Sequence, residues 1–256
     1  GQTPGVISPA AGRSRMFCSM STAAVTTERR DGVLIVHLDD GKANALSFDM
    51  ITAISAALDQ AEGDDEIRAM VLHGRPGKFS AGFDLGVMFG DDMSAIINLV
   101  ADGGALVHRL YGSSLPVVAA STGHALAAGA LVLLGCDVRV GGDIEAKVGL
   151  NEVAIKMVLP DWALTIATDR LSKRHLQRAL ANARITTPRD AVDVGFLDEV
   201  VPDGEELDRA IVLAAELAAT LDPSAYARTV RAIRGPVLDL MAEQIASDRS
   251  AGVSPL

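Results

Sequence analysis

The chain has 256 residues, 49% of them hydrophobic and 22% charged, and its 23 basic and 33 acidic side chains give a net charge of −10. That apolar content excludes a disordered chain, and the acidic balance excludes nucleic-acid binding unless one face concentrates cations. The densest basic stretch, Lys173, Arg174, His175 and Arg178, is short and falls on an expected helix, where a solvated face is the simpler reading.

Cys18 and Cys136 are too few for a disulfide framework. The histidines His37, His73, His108, His124 and His175 form no HExxH pair, so no metal is expected. The longest apolar run, Ala125 to Leu134, contains Gly129 and falls well short of the roughly 18 residues that span a bilayer. A reducing, cytoplasmic location is expected, with organellar targeting left open.

Residues 1–24, with Pro4, Pro9, Gly5, Gly12, Arg13 and Arg15 and no acid, read as an N-terminal extension peripheral to the fold. Folding is expected to begin at Val25. Val33 to Leu38 is a strand, followed by the turn Asp39-Asp40-Gly41-Lys42. Ser47 caps a helix whose apolar face carries Met50, Ile51, Ile54 and Leu58. Ile67 to His73 is a strand, and Gly74-Arg75-Pro76-Gly77 turns into a loop running from Lys78 to Leu85.

A long helix is predicted from Asp92 to Leu110, then a strand from Val117 to Ser121. The run from His124 to Leu131 reads as a turn entering a buried helix, with strand-like pieces at Val138 and Ala146-Lys147-Val148 beyond it. Pro160-Asp161 opens a helix, and Ser172 is a candidate cap for the next. Thr187-Pro188-Arg189-Asp190 has capping-box spacing with proline in the first helical position, and Gly195 marks the stop. Glu205 to Leu221 is helical, and a final helical region after Asp222-Pro223 is interrupted at Gly235-Pro236. Strands alternating with long helical patterns indicate an α/β fold.

Three segments carry chemistry: Asn44-Ala45-Leu46; Phe79-Ser80-Ala81-Gly82-Phe83-Asp84-Leu85; and Gly123 to Gly129 through Gly135-Cys136-Asp137, followed by Ala146 to Glu152. In this order and spacing they resemble the crotonase superfamily of enoyl-CoA hydratases and isomerases, over residues 25 to 202. The resemblance implies a crotonase-like ββα spiral over residues 25–200, with residues 201–256 as a C-terminal helical trimerisation region. It also implies a homotrimer or dimer of trimers and an acyl-CoA thioester substrate. CoA would be part of that substrate, with no separate cofactor.

By the same resemblance, the backbone N–H groups of Phe83 and Ala128 form an oxyanion hole for the thioester oxygen as it gains enolate character. Ala128 replaces a glycine common at that family position. Glu152 is the implied proton carrier, and partial burial would raise its pKa toward neutrality. Ala81, Gly82, Leu131 and Lys42 are implied substrate contacts. The Phe83 ring is expected to pack either against the acyl chain or into the core.

Hydratases of this kind use two glutamates, and the position matching the first is Leu131, which cannot hold a proton. Glu152 alone can take a proton from C2 of a 3-enoyl-CoA and return it at C4, so the expected activity is enoyl-CoA delta isomerisation. The alternatives are enoyl-CoA hydratase, a hydrolase or dehydratase on another acyl-CoA, and a non-catalytic acyl-CoA-binding scaffold. Weaker polar candidates are Asp84, as organiser of its loop; Asp161, as helix cap or second acid; and His124, as a hydrogen-bonded neighbour of the thioester. Arg75 and Lys78 are candidate CoA phosphate contacts, as is Lys42.

Overall fold

The computed structural model describes residues 21–22 and 24–251. A short edge strand β1 (Ser21–Thr22) pairs antiparallel with β2 (Val25–Arg30), which pairs antiparallel with β3 (Val33–Leu38). The paired sheet therefore begins four residues before the expected start at Val25; residues 1–20 and 23 of the expected extension, Cys18 among them, lie outside the described residues. After β3 comes α1 (Phe48–Gly63), whose first turn is capped by the Ser47 side chain accepting from Met50 N–H.

From there the chain repeats one unit. Each of β4 (Ala69–His73), β6 (Val117–Ser121) and β8 (Val138–Asp143) joins the large sheet. Each is followed by a short strand in a second sheet: β5 (Gly77–Ser80), β7 (Gly123–Leu126) and β9 (Val148–Gly149). Helices α2 (Leu85–Met88) and α3 (Met93–Tyr111) follow the first pair, and α4 (Ala128–Gly135) follows the second. After the third come α5 (Asp161–Arg170), α6 (Leu176–Ala179) and α7 (Pro188–Val194), then β10 (Glu199–Pro202), α8 (Glu206–Thr220) and α9 (Pro223–Ala251). The large sheet runs β1-β2-β3-β4-β6-β8-β10, parallel from β3 onward, and the small one runs β5-β7-β9, all parallel. This is the ββα spiral.

Both faces of the large sheet are covered, which is why its parallel strands read as unbroken apolar runs. Val33, Ile35, Val71, Val118, Ala120 and Val140 pack on Ala210 and Ala214 of α8. The alternate side chains, with α1, α3, α4 and α5, form the main core around Trp162, Phe79 and Phe196. Every residue of α4 is buried.

Four sequence expectations are corrected. Gly123 to Leu126 is a strand rather than a turn into a helix. Gly123, at φ +155°, lies so close to Gly77 that an added Cβ would sit 2.7 Å from the Gly77 Cα, and the helix begins only after Ala127. The strand expected at Ala146-Lys147-Val148 covers only Val148–Gly149, with Lys147 instead offering its carbonyl to Ala125 N–H at 3.0 Å. Ser172 caps no helix by its side chain; its carbonyl accepts from His175 N–H, and α6 starts after His175.

The final helix runs unbroken through Pro236. A proline inside a helix costs roughly 3 kcal/mol. Here Val230, Leu238, Met241 and Ile245 are buried on both sides of it, holding the helix against α3 and α5. The Arg234 guanidinium adds an anchor, donating to Asp137 Oδ1 at 2.8 Å and to the Tyr111 carbonyl at 2.9 Å. By contrast, the expected stop at Gly195 occurs as read: Thr187 Oγ1 accepts from Asp190 N–H, and Gly195 adopts φ +104°.

Candidate active site

The small parallel sheet positions the site. Its three strands run in one direction, so the segments leaving their C-terminal ends emerge together: Ala81-Gly82-Phe83 after β5, Ala127-Ala128 after β7, and Leu150-Asn151-Glu152 after β9. The register, with Ser80 beside Ala125, Ala125 beside Val148 and Leu126 beside Gly149, keeps the three ends level. Ligand sites in parallel α/β sheets form at this carboxyl end for the same geometric reason.

Phe83 N–H and Ala128 N–H have no acceptor among the described residues. Leu46 N–H donates to the Gly82 carbonyl at 2.8 Å and Asp84 N–H to the Leu46 carbonyl at 3.2 Å, so the bridge to Leu46 leaves the intervening Phe83 N–H turned away and unclaimed. Ala128 is the first residue of α4, whose opening N–H groups lack partners within the helix and favour negative charge. An added Cβ on Gly82, at φ +100°, would lie 3.0 Å from Ala127 Cβ and 3.5 Å from Ala128 N. Only glycine there lets the Phe83 loop lie this close to the start of α4. Gly129 allows a similar close approach, since a Cβ there would lie 2.8 Å from Ser80 Cβ.

Glu152 is buried, at 7% exposure, and its Oε2 has no hydrogen-bond partner. Burial pushes its carboxyl up to about 7, against a smaller opposing pull from its own backbone N–H. Leu131 is also buried, one turn into α4. The Phe83 ring is partly buried and packs against the main core beside Gly103 of α3.

The weaker candidates separate. Asp84 accepts from Gly86 N–H at 2.8 Å and caps α2. Asp161 is exposed at the first position of α5, and His124 Nδ1 accepts from Lys147 N–H at 3.0 Å. Arg75 pairs with Asp39 at 2.8 Å and donates to the Lys42 carbonyl at 2.5 Å, so its charge is engaged in stitching two loops together. Lys42 and Ala81 are exposed; Lys78 is half-buried on β5. Burial lowers the His124 pKa, and the nearby Lys78 and Lys147 lower it further, which favours a neutral imidazole beside a cationic patch of two lysines. Among the described residues no group of three or more His, Cys, Asp or Glu is placed to hold a metal ion. No described helix is long and apolar enough to cross a membrane.

Two contributors escaped the sequence reading. Lys147 joins the cationic patch through the fold alone. Asn44, quoted in a motif but given no role, is 1% exposed and at φ +50°. Its amide donates to Leu38 O at 2.8 Å and Phe79 O at 3.2 Å, tying the β3–α1 loop to β5 just before the Phe83 loop. Asp40 steadies the same loop: despite burial, the N–H groups of Asn44, Lys42 and Ala45 hold its carboxyl below the ordinary carboxylate range.

Residues 28–252 match the enoyl-CoA hydratase/isomerase family model. The chain belongs to that family. Among its relatives is the mouse protein "Enoyl-CoA delta isomerase 1, mitochondrial", 34% identical over 188 residues, covering 73% of this chain but only 65% of the mouse protein's length. The Mycobacterium tuberculosis "Enoyl-CoA hydratase EchA19" is 31% identical, covering 81% of this chain and 79% of its own. A crystal structure of an enoyl-CoA hydratase/isomerase family protein from Pseudomonas syringae superposes with a TM-score of 0.85 at 38% identity, covering 90% of this chain and 98% of that one.

Proposed function

We propose that the protein is an enoyl-CoA delta isomerase that moves the double bond of a 3-enoyl-CoA to the 2-position. The observation carrying this reading is the buried carboxyl of Glu152 just beyond β9, with Leu131 where a hydratase would hold its other glutamate. Ionised Glu152 removes a proton from C2, and the C2–H electron pair delocalises onto the thioester oxygen. Phe83 N–H and Ala128 N–H stabilise that oxygen more strongly as it becomes anionic. The dienolate then takes the same proton back at C4, leaving the double bond conjugated between C2 and C3 and Glu152 ionised again.

A pKa of about 7 suits this shuttle, because base and acid forms are then close in free energy at neutral pH. Leucine at 131 supplies no group to hold or activate an attacking water, which disfavours hydration. Lys78 and Lys147 are suited to the phosphates of CoA. The proposed trimer carries over from the family resemblance.

Following conjugation of 3-enoyl-CoA and formation of 3-hydroxyacyl-CoA in parallel tests the proposal. Isomerisation is expected to exceed hydration, and Glu152→Gln is expected to abolish it while retaining acyl-CoA binding. Rapid hydration with negligible isomerisation would establish the hydratase alternative, and binding without either reaction the scaffold.

A further inference from the structure

Helix α3 carries adjacent glycines, Gly103 and Gly104, both buried. Two glycines in a helix interior cost roughly 1 kcal/mol each relative to alanine, so their presence calls for a packing reason. Each receives an aromatic ring. A Cβ on Gly104 would lie 2.8 Å from Trp162 Cε2 and 2.9 Å from its Nε1, so that glycine admits the core tryptophan of α5. A Cβ on Gly103 would lie 2.6 Å from Phe83 Cζ, and the neighbouring Cε1 would be closer still. Gly103 therefore admits the ring of the residue whose own backbone N–H faces the proposed oxyanion position.

We propose that Gly103 is a positioning residue for the oxyanion hole: its missing side chain is the notch that seats the Phe83 ring, and the seated ring fixes the Phe83 N–H. The backbone on either side of that amide is held by the two hydrogen bonds to Leu46, by Gly82 N–H donating to Ser80 Oγ at 3.3 Å and by the Asp84 carbonyl accepting from the start of α2. Gly82, at φ +100°, is a pivot immediately before it. Those bonds all belong to neighbouring residues, and none is made by the Phe83 N–H itself. The ring seated against α3 adds an anchor on the Phe83 residue itself. Hydrogen-bond strength falls steeply with misalignment, so a small displacement of the ring weakens stabilisation of the developing anion more than it weakens ground-state binding.

This inference rests on the oxyanion reading of Phe83 and is tested on the full chain by a readout that needs no turnover. The carbonyl stretch of bound hexanoyl-CoA, measured by difference Raman spectroscopy, reports the hydrogen bonds to the thioester oxygen. Gly103→Ala is expected to move that band back toward the free thioester and to lower kcat at least tenfold with KM changed less than threefold. Gly104→Ala, which crowds Trp162 in the same helix, is expected to leave the band at its wild-type position. Gly103→Ala/Phe83→Leu is expected to return kcat to within threefold of Phe83→Leu alone.

An unchanged band in Gly103→Ala, with activity lost only in proportion to melting temperature as in Gly104→Ala, overturns the proposal. If Gly103→Ala does not fold, Phe83→Leu supplies the test, because an empty notch is expected to shift the same band and an unshifted band overturns the proposal. Failure of the isomerase reading would show separately, in the products of the wild-type enzyme.

Discussion

Ala127 N–H donates to the Gly149 carbonyl at 3.0 Å, joining the residue before Ala128 to the strand end three residues before Glu152. This one bond couples the proposed oxyanion amide to the proposed proton carrier through backbone rather than through flexible side chains. Ala127 also sits at φ +50°, ψ −125°, a conformation that costs a non-glycine residue of order 1–3 kcal/mol. That strain turns β7 sharply into α4 and leaves Ala128 N–H at the helix start.

Glu152 is expected to destabilise the fold in which it works. Its carboxyl titrates near 7 in the folded chain against 4.5 as the ordinary value, so the native state binds the extra proton and stability falls as pH rises through that window. The penalty is absent below about pH 4.5 and reaches about 3 kcal/mol above pH 7. Glu152→Gln should therefore melt higher than wild type at pH 8 and at nearly the same temperature at pH 4. A melting difference independent of pH would contradict this.

Asn44→Ala removes the tie between the β3–α1 loop and β5 and places alanine at φ +50°. Leaving the Leu38 and Phe79 carbonyls without that donor should cost about 2–4 kcal/mol in chemical denaturation. A loss under 1 kcal/mol would mean that other contacts hold the loop.

Asp137 accepts from Val117 N–H at 2.7 Å, Tyr226 OH at 3.0 Å and Arg234 at 2.8 Å, while the Arg234 guanidinium stacks 4.4 Å from the Tyr111 ring centroid. Asp137→Ala removes the carboxylate partner of the largely buried Arg234 cation and should destabilise the chain by about 3 kcal/mol. Hydrogen exchange should report α9 loosening first. Uniform exchange across α9 and the sheet would show that this network does not anchor the helix.

Immediately after Glu152, Val153, Ile155 and Val158 are 49%, 44% and 73% exposed. Such a patch suits contact with a second copy, in keeping with the proposed trimer. Light scattering across dilution should give three or six times the 26.6 kDa chain mass. A monomer persisting at micromolar concentration would contradict it.

The sequence alone determined the elements whose signals are local. Val33 to Leu38 is an apolar strand whatever it pairs with, and the Ser47 and Thr187 caps act within one helical turn. Glu152, Phe83 and Ala128 could be nominated as proton carrier and amide donors because their segments keep a family's order and spacing. Tertiary structure decided what depends on distant neighbours. Gly123 to Leu126 is too short and too poor in β-branched residues to announce a strand, and it becomes one only between β5 and β9. Pro236 reads locally as a break, but packing on α3 and α5 keeps α9 continuous through it. Gly103 and Phe83 lie twenty positions apart with nothing in either segment to link them, and only the close approach of α3 to the β5 loop makes one the seat of the other. Burial of Glu152, and with it a proton held near neutral pH, arises in the same way: removing a carboxyl from water is the work of the whole core and is written in no single segment.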